Sequence, residues 1–323
     1  MSTTMLDYAM FLQRGEKTAK LGQVVALQAA TNRLFEVLPI KETNHPSMEV
    51  VPLQGDLPEI AWRIINKGTT PTVTRFKSAS FTCGGLENFV QIDEKLAEMC
   101  GADYIAAENQ AHMAALGNKI AETFFYGDEK VNPAGFTGLS AYYYDTTTPD
   151  WGGQVKSAGG SGSALTSLWF VGFSDTSVYG ICPPKIPTGF RYRCNDLVNI
   201  MVNDTEIKAV EYQYTWDLGL VVADYRKGAR LKDIDTTALD SSEAKAFTES
   251  MAEVFAKVDP PTGNQARIVG FANKDLMAYI IKTHALTNQG FVIDFRDYKG
   301  KPTMFYQGVP ILLCDAITST ESA

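Results

Sequence analysis

The sequence is poor in the residues from which catalytic and metal centres are built. Its three histidines, His45, His112 and His284, lie far apart with no HExxH spacing. Each reads as a surface or helix-face residue, and no metal site is expected. The five cysteines, Cys83, Cys100, Cys182, Cys194 and Cys314, are odd in number, widely spaced and form no CxxC. That pattern implies free thiols in a reducing compartment, without disulfides. No GxGxxG or GxSxG is present; Gly160-Ser161-Gly162 does not fit the nucleophile elbow. The Gly- and Ser-rich stretch 152–163 lacks the Lys-Ser/Thr ending of a phosphate-binding loop and reads as a flexible connection. Lys232-Asp233-Ile234-Asp235 lacks the glycine and glutamate of a calcium loop. Asp93, Glu94 and Glu98 read as a solvated helix face. No catalytic residue and no cofactor is expected. Structural and assembly roles therefore gain weight.

Two further absences matter. No run of eighteen apolar residues occurs, which excludes a membrane-spanning helix. The opening residues lack a basic start before an apolar core, so no signal peptide is expected. Positive charge is also short, with 29 Lys and Arg against 37 Asp and Glu. The net charge of −8 excludes a general basic field that would grip nucleic acid.

What is present is a chain of 323 residues, 45% apolar and 20% charged, with no internal repeat. That suits a large core and two subdomains. The chain is organised around residues 102–139. Ile105, Met113, Leu116, Ile120 and Phe124 fall on one helical stripe, and good helix formers fill most positions between them. Gly127, Asp128 and then Pro133 end the helix. About 24 residues at ~1.5 Å each predict a rod of roughly 36 Å. A shorter helix is expected over residues 87–99. An isolated helix over 21–38, closed by Pro39, follows a loose lead.

Residues 48–85 read as extended, with strands over 59–66 and 72–82 around a tip at Lys67-Gly68-Thr69-Thr70-Pro71. Neither face of that hairpin is cleanly apolar, so it has no core of its own. A solvated surface hairpin and a loop ordered by a partner fit equally well. Strands are expected over 168–173, 178–182, 207–216, 218–225 and 267–270. Helices are expected over 242–257, capped by Ser241 or Ser242, and over 274–283, capped by Asn273. A hairpin over 291–306 turns at Tyr298-Lys299-Gly300-Lys301, and a buried strand over 308–313 comes last.

A set of short motifs in fixed order resembles the major capsid proteins of tailed bacteriophages with the Hong Kong 97 fold, and most closely the short-tailed phage branch. Ala61-Trp62-Arg63 with Asn66 and Gly68 is similar to that branch's extended-loop motif. Asp93 with Leu96-Ala97 resembles the lead into its spine helix, and the run Phe124 to Asp128 with Phe136, Gly138 and Leu139 its exit. Ser167 to Val171, Tyr179-Gly180-Ile181, then Trp216, Gly219-Leu220, Asp224, Arg226 and Arg230 resemble its long strands. Gly308-Val309-Pro310-Ile311 and Asp315-Ala316-Ile317 resemble its close.

The resemblance implies an α+β capsid fold. Residues 1–47 would be an N-terminal arm, 48–86 an extended loop, and 87–150 the spine helix of a peripheral domain. Residues 151–240 would hold long strands and 241–323 an axial domain. It implies a non-enzymatic shell subunit that forms hexamers and pentamers around double-stranded DNA without binding it tightly. Scaffolding, portal and cement or decoration proteins would be its partners, with assembly in the host cytoplasm. Inter-subunit contacts would come from Trp62, Arg63, Asn66, Gly68, Arg75 and Phe76 of the loop and from Leu34 and Phe35 of the arm. The cross-linking Lys and Asn of the fold's type member have no assignable counterparts here. The alternatives are an encapsulin-type compartment and a soluble α+β enzyme. Because Gly308-Val309-Pro310-Ile311 sits so near the end, a permuted segment order is expected. The long strands come directly after the spine helix, and the axial helices and closing strand come last.

Overall fold

A computed structural model describes residues 32–54, 58–74, 76–147, 151–162, 164–186, 189–202, 205–237, 241–287 and 293–321. Its elements in chain order are β1 (Ile40–Glu42), β2 (Met48–Gln54), β3 (Phe76–Asp93), the long helix α1 (Glu94–Tyr126) and a single helical turn α2 (Leu139–Tyr142). Then come β4 (Val155–Ser157), β5 (Leu165–Phe173), β6 (Val178–Cys182), β7 (Phe190–Val202), β8 (Thr205–Val222) and β9 (Gly228–Asp235). The last run is α3 (Ser241–Ala256), β10 (Arg267–Ala272), α4 (Lys274–Thr287), β11 (Ile293–Tyr298), β12 (Lys301–Tyr306) and β13 (Val309–Leu313). The strands join in one sheet whose main path runs β11-β12-β13-β10-β5-β6-β8-β3-β2.

Two cores lie on opposite faces of this sheet, and the period of two along a strand sorts residues between them. On β5, Trp169, Val171 and Phe173 face the α1 core, while Leu168 and Phe170 face α3 and α4. On β13, Leu312 joins the first core and Ile311 the second. Strand β5 is buried along its whole length, which explains its continuous apolar run. Strand β8 sends Tyr214, Trp216, Leu218, Leu220 and Val222 to the α1 core and Val221 to a small cluster with Phe81, Tyr179 and Ile181.

Helix α1 has 33 residues, about 50 Å at ~1.5 Å per residue. Its buried stripe is Met113, Leu116, Ile120, Ala121, Phe124 and Phe125, with Ile105 packed alongside. Phe124 meets Phe173 at 6.4 Å between ring centroids, and Phe125 meets Trp169 at 6.0 Å and Phe271 at 5.6 Å. The exit is tight. Gly127 N–H donates to the Thr123 carbonyl (2.8 Å) and Gly138 N–H to the Gly127 carbonyl (2.8 Å). A Cβ on Gly127 would collide with the carbonyls of Thr123 and Phe136, so only glycine fits there.

Several expectations are corrected. Residues 87–93 are strand, because they pair with 209–215 of β8, and pairing overrides their helical composition. Helix α1 therefore starts at Glu94 and absorbs the expected short helix. The hairpin ladder is β2 against β3, from Met48↔Thr82 to Gln54↔Phe76, and residues 59–66 form no strand. The pair expected over 207–225 is one continuous strand, β8, whose hairpin partner is β7. Residues 155–157 of the presumed flexible loop form β4, parallel to β9. Of the helix expected over 21–38, residues 21–31 lie outside the described ones, and Arg33–Glu36 is a 3-10 turn.

The expected order holds: α1 is followed by β5 to β9, then by α3, α4 and β13. Helix α1 packs on β5 and β8, as expected. The chain closes with β13 parallel to β10 in the part of the sheet that carries α3 and α4. Asn273 caps α4, its Oδ1 accepting from Leu276 N–H at 2.8 Å. The β11–β12 turn uses Lys299 and Gly300, both at positive φ (53° and 76°).

Candidate functional site

Among the described residues, no cluster of three His, Cys, Asp or Glu side chains could hold a metal ion. The feature that demands explanation is exposed apolar surface. It concentrates in the tip beyond the β2–β3 ladder. Trp62 is 100% exposed, Ile60 90%, Ile65 87% and Val73 84%. The tip is held by few bonds: Lys67 N–H to the Ile64 carbonyl (3.0 Å), Thr72 Oγ1 to the Glu59 carbonyl (3.2 Å) and Arg63 Nε to the Lys67 carbonyl (3.3 Å). Asn66 takes the left-handed turn position (φ 69°), a conformation Asn tolerates better than most residues. The base is firm, with Phe81 buried and Cys83 N–H donating to the Ser47 carbonyl at 2.9 Å. An exposed apolar tip thus stands on a regular ladder.

The structure gathers Trp62, Arg63, Asn66 and Gly68 at this tip and places Phe76, 69% exposed, at the first rung. Arg75 lies outside the described residues. The two arm residues pack on their own subunit. Leu34 is fully buried within its own subunit, and Phe35 stacks on Trp216 at 5.3 Å and 27°. Residues 32–38 form a strap across their own subunit. Asn32 Nδ2 donates to Asn118 Oδ1 of α1 (2.6 Å), Arg33 Nη1 to Thr303 Oγ1 (2.6 Å), and Lys301 pairs with Glu36 (2.8 Å). Apolar periodicity marked Leu34 as buried but could not say by whose core.

Three features escaped the sequence reading. The first is a buried ion pair between Arg230 and Glu321 at 3.0 Å, with side chains 10% and 7% exposed. Arg230 also donates to Ser167 Oγ (3.0 Å) and the Tyr143 carbonyl (3.1 Å), and sits over Trp169 at 4.8 Å. Glu321 accepts from the hydroxyls of Tyr126 and Ser167. Burial, reinforced by Glu321, pushes the Tyr126 hydroxyl far above the ordinary tyrosine value, so it stays a donor. The second is the long β7–β8 hairpin, which exposes Leu197 and Met201 and stacks Tyr192 on Tyr212 at 6.1 Å.

The third is an open groove of about 1040 Å³ at the C-terminal end of α1, walled by Tyr126, Tyr142 and Tyr144 with Asp128, Glu129 and Lys130 at its edge. Thr82 Oγ1 donates to Glu129 Oε2 at 2.9 Å, and Tyr142 stacks on Trp151 at 5.2 Å and 25°. Burial first, and Glu129 second, push the Tyr142 hydroxyl up to about 12. The run Tyr142 to Tyr144, well separated in the chain from Asp128-Glu129, was the one sequence signal for it.

Comparison with known proteins bears on the chain as a whole. The family model "Major capsid protein GP7" matches residues 16–323. A comparison with curated proteins finds no match. Among solved structures, a chain of bacteriophage Epsilon15 is 25% identical, covers 88% of this chain and 87% of its own, and superposes with a TM-score of 0.67. A chain of the bacteriophage JBD30 capsid, 10% identical, shares the fold at a TM-score of 0.54 over 90% of this chain and 92% of its own.

Proposed function

The chain belongs to the family of the major capsid protein GP7, and on that premise we propose which of its surfaces build the shell. As a member, it is a structural subunit of an icosahedral phage capsid with the Hong Kong 97 fold. Residues 48–86 act as the extended loop, whose tip lies on a neighbouring subunit through Trp62, Arg63, Asn66, Gly68 and Phe76. Helix α1 is the spine of a peripheral domain. The sheet region that carries α3 and α4 is the axial domain, which meets its copies around the five- and sixfold centres as pentamers and hexamers. Residues 1–47 act as the arm, anchored on their own subunit through residues 32–38. The shell encloses double-stranded DNA, held by the wall and not by a basic surface, which suits the net charge of −8. Scaffolding, portal and cement proteins complete the particle, which is assembled in the host cytoplasm. The matching family is a capsid family, which favours the phage shell over the encapsulin-type alternative.

The observation that carries this reading is the exposed apolar tip on a paired ladder. Its own fold leaves that surface wet, and burial against a second copy would remove it from water at about 25 cal/mol per Å². The test is to replace residues 58–74 by a short turn. The expected product folds with an unchanged urea midpoint but forms no closed shells by negative-stain microscopy. Shells of normal size and yield would refute the assignment.

A further inference from the structure

Residues 314–321, just after β13, form neither helix nor strand, apart from one bridge between Cys314 and Asn32. Their bonds go to six separate places in the fold. Cys314 N–H donates to the Ala272 carbonyl at the end of β10 (2.9 Å), and Ala316 N–H to Asn32 Oδ1 (3.3 Å). Asn273 Nδ2, at the head of α4, donates to the Ile317 carbonyl (3.3 Å). Thr166 Oγ1 of β5 donates to the Thr318 carbonyl (2.8 Å). Thr318 N–H donates to the Tyr126 hydroxyl at the end of α1 (3.2 Å), and Glu321 pairs with Arg230 of β9. The segment therefore joins the end of α1 to the start of α4, although the two helices serve different cores.

Its hold is polar. Only Cys314 and Ile317 are buried apolar anchors, at 0% and 2% exposed, while Thr318 and Thr320 face solvent. A segment with so few apolar anchors opens at a lower free energy than the cores beneath it. Its bonds also depend on one another. The Tyr126 hydroxyl accepts from Thr318 N–H and donates to Glu321, whose carboxylate also takes Arg230 and Ser167. Loss of one bond at this node withdraws the geometry that the others need.

We infer that residues 314–321 are a clasp that opens and recloses as one unit, latched by the node of Tyr126, Glu321 and Arg230, and that its closure fixes the end of α1 against the α4 side of the sheet. Opening frees the Tyr126 hydroxyl, lets water reach Arg230 and uncovers the Cys314 thiol, while both cores stay folded. The inference concerns the single subunit and stands apart from which surfaces build the shell.

Two native thiols supply the test, and its first arm needs no mutation. Cys314 and Cys182 are both buried, but Cys182 lies in β6, between β1 and β8, and is exposed only when the sheet comes apart. The full-length free subunit is alkylated with iodoacetamide at urea concentrations below its unfolding transition, and the rate at each cysteine is read by mass spectrometry of its peptides. Cys314 should react about tenfold faster than Cys182 or more. Its rate should stay nearly flat in urea while that of Cys182 climbs, because the slope follows the surface that opening exposes. Equal rates with equal urea slopes would mean that Cys314 is exposed only by global unfolding, and would overturn the clasp. In the second arm, Glu321→Gln and Tyr126→Phe, two near-isosteric changes, should each speed Cys314 about tenfold and keep its flat urea dependence. A Cys314 rate unchanged in both variants would overturn the latch.

Discussion

Replacing Glu321 by Ala would leave the Arg230 guanidinium buried without its counter-charge. Side-chain exposures of 10% and 7% put the pair in the regime where removing one partner costs about 3–5 kcal/mol. Arg230 would keep its bonds to Ser167 Oγ and the Tyr143 carbonyl and its place over Trp169, which sets the expected loss at the lower end, about 3 kcal/mol. Tyr126 and Ser167 would each lose an acceptor. Glu321→Gln keeps an acceptor and loses only the charge, so about 1.5–2 kcal/mol is expected. The double variant Arg230→Met, Glu321→Leu removes both charges and should lie within about 1 kcal/mol of the parent, because a buried pair gains little over apolar packing. The assay is urea unfolding of the full-length free subunit followed by tryptophan fluorescence. With a slope of about 3 kcal/mol/M, Glu321→Ala should lower the midpoint by about 1 M at unchanged slope. A shift below about 0.2 M, or a double variant as unstable as the single one, would refute the buried-pair argument.

Two further outcomes follow from the core. Phe125→Ala removes the ring that meets Trp169 and Phe271, so a loss of about 3–5 kcal/mol is expected in the same urea assay; a loss under about 1 kcal/mol would mean that α1 does not rest on β5 and β10 as described. Burial pushes the Cys314 thiol from 9.0 up to about 12. Its contribution is full below pH 9 and is lost as pH rises from 9 towards 12, because the unfolded thiol ionises first, with a slope of up to about 1.4 kcal/mol per pH unit. Cys314→Ala should flatten stability against pH over that window, and identical slopes for the two proteins would refute the burial of this thiol.

How far the sequence reached depended on the range of the interactions. The stripe on α1, the cap at Asn273, the turn at Lys299-Gly300 and the strands β5, β6 and β13 are written in local pattern, because a helix or a buried strand imposes its own period on neighbouring residues. The motif order from Trp62 to Ile317, together with the missing catalytic residues, was enough to point to a capsid subunit. The loop was legible as a whole, since Trp62, Arg63, Asn66 and Gly68 cluster in the chain itself, but its extent was not, because the strand expected over 59–66 does not form. Pairing across distance was not legible. Residues 87–93 became strand only because β8 lies beside them, and β7 was found only through its partner. Leu34 looked like an arm contact, and only the folded core shows that its own subunit buries it. The pair of Arg230 with Glu321 and the groove joining Glu129 to Thr82 and Tyr142 bring together residues from separate parts of the chain. A residue's type says which partner it needs, and only the closing of the sheet decides which partner it meets.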